Sequence, residues 1–299
     1  MMSEKKNRTA LATVCTPNFI KGTQVLFYSF LRHNPTFKGD LIIICTPDLL
    51  KHKERFSQFP NLIFHPISEC LTITLDKIYK SYSKLQAYAK PLFYSLEAFN
   101  LSLYKRVIFL DSDMIVTKPL EPLFKLSNGL HVCHERAHYL NFKRSKINFA
   151  LIENSTINHD VFNLTFNSGM MVIGEDLLNQ ETLNRLLNTT EQICWDKMSL
   201  NINDQISLNF CFEGKFTILS PSYNFINKLA QEIELKSHVI GTESNIIHYI
   251  GYPKPWQFKR IVKDLLKLKP PPPYFKFWFL AFVKLSLHKL VAKSQRTYL

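Results

Sequence analysis

The stretch Arg106-Val-Ile-Phe-Leu-Asp-Ser-Asp-Met-Ile-Val is an apolar run that ends abruptly in Asp111 and Asp113, carboxylates separated by one residue. Along an extended chain alternate side chains share a side, so the two are expected to point the same way. Adjacent carboxylates repel, and the repulsion costs stability unless a cation sits between them. A bound divalent metal is therefore the chemistry this pair favours. Capping and turn roles use the same residue type, so the pair needs partners elsewhere in the chain before it reads as a site.

Three later segments offer such partners: Thr165-Phe-Asn-Ser-Gly-Met-Met-Val-Ile, Asn203-Asp-Gln-Ile-Ser-Leu-Asn and Ile247-His-Tyr-Ile-Gly-Tyr-Pro-Lys-Pro-Trp. A rival reading exists for the first pair. A strand ending in Asp-x-Asp also opens phosphatases of the haloacid dehalogenase type, in which the first Asp is a nucleophile. That motif usually lies near the chain start, whereas here a complete strand-helix-strand unit, able to bind a nucleotide, comes first.

In order and spacing the four segments resemble glycosyltransferase family 8, the family of glycogenin, of the bacterial lipooligosaccharide α-galactosyltransferases and of galactinol synthases. The resemblance runs from roughly Thr9 to Arg260. It implies an α/β fold of the GT-A type, a single Rossmann-like nucleotide-sugar-binding domain with a mixed, mostly parallel central sheet. It also implies a UDP-sugar donor, Mn²⁺ or Mg²⁺ as cofactor, and transfer of a hexose with retention of the anomeric configuration. The acceptor would be a glycan, glycolipid or protein. The alternative functions are a catalytically silent sugar-binding protein of the same fold and the phosphatase.

Carried over residue by residue, the family's metal ligands fall on Asp111, Asp113 and His248. Two carboxylates and one imidazole suit Mn²⁺, which accepts nitrogen as well as oxygen donors. Gly251 and Lys254 fall against the pyrophosphate, the lysine where the leaving group gains negative charge. Asp204 and Gln205 resemble the pair that contacts the donor hexose, with Gln205 near the anomeric carbon, and Asn167 and Ser168 the residues on the sugar hydroxyls. Val14, Thr16 and Phe19 resemble the uridine segment, with Phe19 in place of the usual tyrosine and still able to stack on a base. Lys84 corresponds to a further phosphate-side or donor-side lysine, and Ser112, between the two acids, belongs to the same nucleotide-binding set.

Elements must hold these residues. Apolar, β-branched runs at 9–16, 41–45, 62–67, 106–110, 130–133, 166–173, 216–219 and 245–250 alternate with helical patterns such as 20–32. Alternation of this kind predicts an α/β fold with a mostly parallel sheet, whose ligands bind beyond the carboxyl ends of strands. With 299 residues, 46% of them hydrophobic, and only 8 glycines, the chain can bury a real core. The six cysteines have no zinc-ligand spacing and read as free core thiols.

The net charge of +13 favours phosphate-bearing ligands or anionic surfaces, and its concentration at the chain ends argues against a nucleic-acid groove. Pro270 to Pro273 mark a boundary between a catalytic domain, 1–269, and a tail, 270–299. From Tyr274 onward, aromatic residues mix with Lys276, Lys284, Lys289 and Lys293, which suits peripheral contact with a membrane surface or packing on the domain or a second subunit. The opening residues lack the apolar stretch of a secretory signal, so a cytoplasmic setting is expected, at the membrane's cytoplasmic face if the tail binds there. The Asn-x-Ser/Thr triplets are then chance matches.

Overall fold

In the computed structural model the described residues are 8–82, 87–140, 165–193, 195 and 204–297. Strands β1 (Thr9–Val14), β2 (Asp40–Cys45), β3 (Leu62–Pro66) and β4 (Arg106–Leu110) are the aliphatic runs of the first third of the chain. β1, β2 and β4 are nearly continuous in apolar residues because both faces of the sheet are covered. Their side chains alternate between two cores: Ala10, Ala12, Ile42, Ile44, Val107 and Phe109 enter one, and Leu11, Leu41, Ile43, Ile108 and Leu110 the other. That is the period-two rule acting on a buried sheet.

Later strands are β5 (Met114–Val116), β6 (Leu130–His134), β7 (Phe166–Gly174), β8 (Thr217–Ile218), β9 (Phe225–Ile226) and β10 (Ile246–His248). The main sheet has seven strands in the order β3-β2-β1-β4-β7-β6-β8, and a small sheet has the order β5-β10-β9. β1 runs parallel to both β2 and β4, while β7 runs antiparallel to β4 and β6, so the sheet is mixed and mostly parallel. β1 leads outward to β2 on one side and receives β4 on the other. The crevice beyond the ends of β1 and β4 is thus the switch point where such sheets bind ligands.

One face is covered by α1 (Ile20–His33), through Val25, Leu26, Phe27 and Phe30. The other carries α2 (Glu69–Ser81), the tight helical stretch Ala87–Asn100, α3 (Gln180–Gln192) and α4 (Asp204–Cys211). Helices α5 (Ala230–Ser237), α6 (Phe258–Leu265) and α7 (Phe275–Thr297) complete the fold. α7 is the segment read from sequence as a tail. It packs on the α1 side, with Trp278 and Leu285 buried in the same core as Phe27 and Phe30. Trp278 stacks on Phe282 and contacts Trp256, so the aromatic residues of the segment are partly used inside the protein. Burial of side chains of this size contributes about 1.5–3 kcal/mol each, enough to hold a helix that follows four prolines. No helix among the described residues is long and apolar enough to cross a membrane.

Candidate active site

β4 is buried along its whole length and delivers Asp111 to the crevice. The two acids do not continue the strand, as period-two reasoning expected. The N–H of Met114 donates to the carbonyl of Asp111 (3.1 Å), closing a turn that reverses the chain into β5. The acids converge for another reason: β5 pairs antiparallel with β10 and sets Met114 opposite His248. His248 Nε2 then lies 3.2 Å from Asp113 Oδ1 and 3.6 Å from Asp111 Oδ2. One donor atom from each of the three residues lies within 4.8 Å of the others. Two further bonds fix the turn, Asp111 N–H to Gly169 O (2.8 Å) and Tyr249 N–H to Asp113 O (3.0 Å).

These residues fit a divalent ion. The donors are two carboxylate oxygens and one ring nitrogen, gathered on one side, and the half-exposed Asp111 leaves the opposite side open to the crevice. Burial and then the charge of Asp113 push the Asp111 carboxyl up to about 6, against the pull of His248 and Lys254. Burial also opposes the charge on Asp113, but Lys254 and then His248 outweigh it and hold that carboxyl well below the ordinary carboxylate range. Lys254 is itself buried; its ammonium donates to Asp113 Oδ2 and to the carbonyl of Tyr249 (3.0 Å). The lysine that the family resemblance puts against the pyrophosphate is thus the ion-pair partner of Asp113.

Beside the acids, β6 and β7 slip out of register: Val132 pairs with Met171, but Cys133 pairs with Asn167. The bulge releases Ser168, Gly169 and Met170 from β6 and turns this stretch toward the site, as bulges beside active sites do. The start of α4 faces it. Asn167 Nδ2 donates to Gln205 Oε1 (2.9 Å), and Ser168 Oγ to Asp204 Oδ1 (3.3 Å). Burial, then Asp111, push the Asp204 carboxyl up to about 7, although hydrogen bonds from Ser95, Ser168 and the Gln205 N–H favour its charged form.

Some residues of this site were not singled out from the sequence. Ser95 donates to Asp204 Oδ2, and the buried Asn224 bridges Asn167 and His248. Glu135 is buried where β6 ends; burial raises its carboxyl, opposed by the N–H groups of Ala137 and Arg136, by Arg136's charge and by Gln205. The only local signal for Asn224 is an amide set between the apolar rings of Tyr223 and Phe225.

On the nucleotide side, Val14 ends β1 and Thr16 precedes the turn Pro17–Phe19, both half-buried. The Phe19 ring meets Trp256 edge-on at 5.2 Å and lies 6.0 Å from the Lys254 ammonium, which ties this turn to the metal side. Ser112 is buried, and its carbonyl lies so close to Gly22 of α1 that a side chain there would collide with it. Gly251 is exposed, adopts φ +72° and lies beside the Lys228 side chain, which donates to the carbonyl of Tyr252 (3.3 Å). Thus thirteen of the sequence-read site residues lie on the described chain, whereas Lys84 lies outside the described residues.

Comparison with known proteins agrees with this architecture. The family model described as glycosyl transferase family 8 matches residues 10–260. Uncharacterized protein R707 of Acanthamoeba polyphaga mimivirus is 23% identical over 243 residues, 80% of this chain and 78% of that protein. Glycosyltransferase GlyE of Streptococcus pneumoniae is 27% identical over 163 residues, but the match covers 50% of this chain and only 33% of GlyE. Among solved structures, the galactosyltransferase LgtC in complex with donor and acceptor sugar analogues superposes with a TM-score of 0.62 at 16% identity, over 90% of this chain and 99% of that one. The apo form of GlyE gives 0.60 at 17% identity, over 97% of this chain and 64% of that one. These likenesses do not favour the phosphatase alternative, and retention of configuration is consistent with them. GT-A glycosyltransferases use a nucleotide-sugar donor and typically a divalent metal. The family match over residues 10–260, on a mixed sheet that ends in a three-donor acidic site, makes this chain a member of glycosyltransferase family 8 and therefore a glycosyltransferase.

Proposed function

We propose that the chain transfers a hexose, glucose or galactose, from a UDP-sugar to a hydroxyl of a glycan, glycolipid or protein, with Mn²⁺ held by Asp111, Asp113 and His248. The observation that carries the reading is the meeting of these three donors, drawn from two distant segments, within 4.8 Å at the β1/β4 crevice. A bound ion supplies positive charge to the diphosphate leaving group. The chain's own residues do the rest. Lys254, beside Asp113, adds charge on the leaving-group side, and the glycine at 251 admits close backbone approach. Val14, Thr16 and Phe19 take the uridine, with Ser112 beside them and Lys84 toward the donor phosphates. Asn167, Ser168 and Asp204 hold the hexose. Gln205, its amide oxygen held by Asn167, stabilises positive charge at the anomeric carbon during substitution on the retained face.

The test is UDP release from purified protein with Mn²⁺, screened across common UDP-sugars. The expected result is release from UDP-glucose or UDP-galactose that stops with chelator and returns with Mn²⁺. Intact donor binding without release from any UDP-sugar would instead favour the catalytically silent sugar-binding protein.

Contact with a membrane surface at its cytoplasmic face belongs to the same proposal. What supports it is the exposed set Leu265, Leu266, Leu268, Phe279 and Leu280 among Lys263, Lys267, Lys269 and Lys276, apolar side chains and cations that anionic lipid would accept together. Leu268→Glu combined with Leu280→Glu is expected to reduce co-sedimentation with anionic liposomes at least about tenfold, on the order expected for two lost apolar anchors. Unchanged co-sedimentation would refute the contact.

A further inference from the structure

Lys228 follows β9 by two residues, in the short turn Asn227–Leu229 that leads into α5. β9 and β10 run parallel with Ile226 opposite His248, so the chain beyond β9 is carried alongside the chain that follows His248. Asn227 and Leu229 are buried and hold the turn, while Lys228 between them is exposed. Its ammonium reaches Gly251: a β-carbon built on that glycine would lie 2.6 Å from Lys228 Nζ. Where the fold leaves the backbone bare, it also sets a cation. An ammonium has three N–H donors. One goes to the carbonyl of Tyr252 (3.3 Å), and no other hydrogen bond from Lys228 is found among the described residues.

The charges around it differ from those around Lys254. The Lys254 ammonium is buried and gives donors to Asp113 and to the carbonyl of Tyr249, so a carboxylate cancels its charge on the spot. No carboxylate among the described residues pairs with Lys228. Burial, then the charges of Lys254 and Arg136, push its ammonium below the ordinary lysine range. Like charges held near one another repel, and an anion bound among them relieves the cost.

We infer that Lys228 is a further leaving-group residue, its ammonium meeting the donor's diphosphate beside Gly251. The inference rests on the nucleotide-sugar reading above. What eases departure of a diphosphate is net positive charge at the place where negative charge gathers. Lys254 comes with a carboxylate and Lys228 without one, so the uncancelled charge on this side of the site is that of Lys228. A lysine attracts phosphate as a point charge with no fixed geometry, which suits a side chain tied to its loop by a single hydrogen bond.

The experiment measures binding of UDP and of uridine to the full chain by calorimetry, with Mn²⁺ present and at low ionic strength. Wild type is expected to bind UDP more tightly than uridine. Lys228→Met keeps the length of the stem and loses the ammonium; it should bind UDP about 10–100-fold more weakly and uridine as wild type does. Lys228 is exposed, so unchanged uridine binding also shows that the variant is folded. Lys228→Arg keeps the charge and should recover most of the loss. The deficit of Lys228→Met should shrink as salt is raised, as contact between exposed charges requires. A deficit indifferent to salt would reduce Lys228 to its tie with the Tyr252 carbonyl and overturn the inference. Wild-type UDP affinity in Lys228→Met would overturn it as well, and would hand the cation to an anionic group of the acceptor. Wild type that binds neither UDP nor uridine would bring down the nucleotide-sugar reading and this inference with it, whereas equal UDP affinity in wild type and variant brings down the inference alone.

Discussion

Asp113→Asn should lower UDP release by about a thousandfold, roughly 4 kcal/mol of transition-state stabilisation, and should also destabilise the metal-free protein. The second effect comes from Lys254. Its buried ammonium has Asp113 as its only ion-pair partner among the described residues, and removing one member of a buried pair costs about 3 kcal/mol or more. Asp111→Asn should abolish activity to a similar degree but act on stability in the opposite direction. Folding raises the Asp111 carboxyl from 3.8 to about 6, so its contribution to stability is complete below 3.8 and is lost as pH rises through about 6. Above that pH the ionised group works against the fold, and an amide relieves it. The gain is about 1 kcal/mol once screening is allowed for, because the side chain is 43% exposed. For Asp113, whose carboxyl is depressed, the contribution is present above 3.8 and lost only in acid. Urea denaturation of the metal-free variants at about pH 7.5, above the raised Asp111 value, measures both signs. Equal stability of the two variants would mean that Lys254 does not pair with Asp113 in solution. The same imbalance bears on metal binding: a proton competes with the ion for Asp111, so Mn²⁺ affinity in wild type should fall about tenfold per pH unit below about 6.

What the sequence disclosed of this site follows from where information is local. A run such as Arg106–Leu110 is legible because a strand covered on both faces must be apolar throughout, and its abrupt end in two acids marks the rim of the sheet. His248 is legible only through its neighbours, Gly251 and Lys254, since an isolated buried histidine carries no message. The turn at Asp111 to Asp113 was not legible, because the pairing of β5 with β10 that sets it joins segments more than a hundred residues apart. The family resemblance implies a phosphate-side role for Lys254; its contact with Asp113 was not legible, because it depends on how the chain after β10 folds back. For the segment around α7 the sequence left membrane contact and packing on the domain both open, because its lysines follow no single face. Burial of Trp278 and Leu285 is decided by the shape of α1 and α6, which no local pattern encodes.

Gly169→Ala should leave the protein folded and reduce activity about a hundredfold, the loss expected when reacting groups shift by about 1 Å. Gly169 does not adopt positive φ, so its backbone conformation is open to alanine and the cost is one of space. A methyl built there would lie 2.6 Å from His248 Cε1, 2.7 Å from Asp111 Oδ2 and 2.9 Å from Asn167 Oδ1. Three site residues therefore crowd the position, and the one that yields is the one least held. His248 is buried and tied to Asn224; Asn167 is tied to Gln205 and Asn224. Asp111, no side-chain hydrogen bond to which is found among the described residues, can swing toward the open crevice. That escape limits the stability loss to about 1–3 kcal/mol, the usual cost of overpacking. It also carries a carboxylate away from the ion. Mn²⁺ affinity should consequently fall. Calorimetry of Gly169→Ala checks the fall in affinity, and urea denaturation checks the limited loss of stability. Wild-type Mn²⁺ affinity in this variant would show that Asp111 coordinates from a position the added methyl does not reach, and the three-donor arrangement would have to be redrawn around Asp113 and His248 alone.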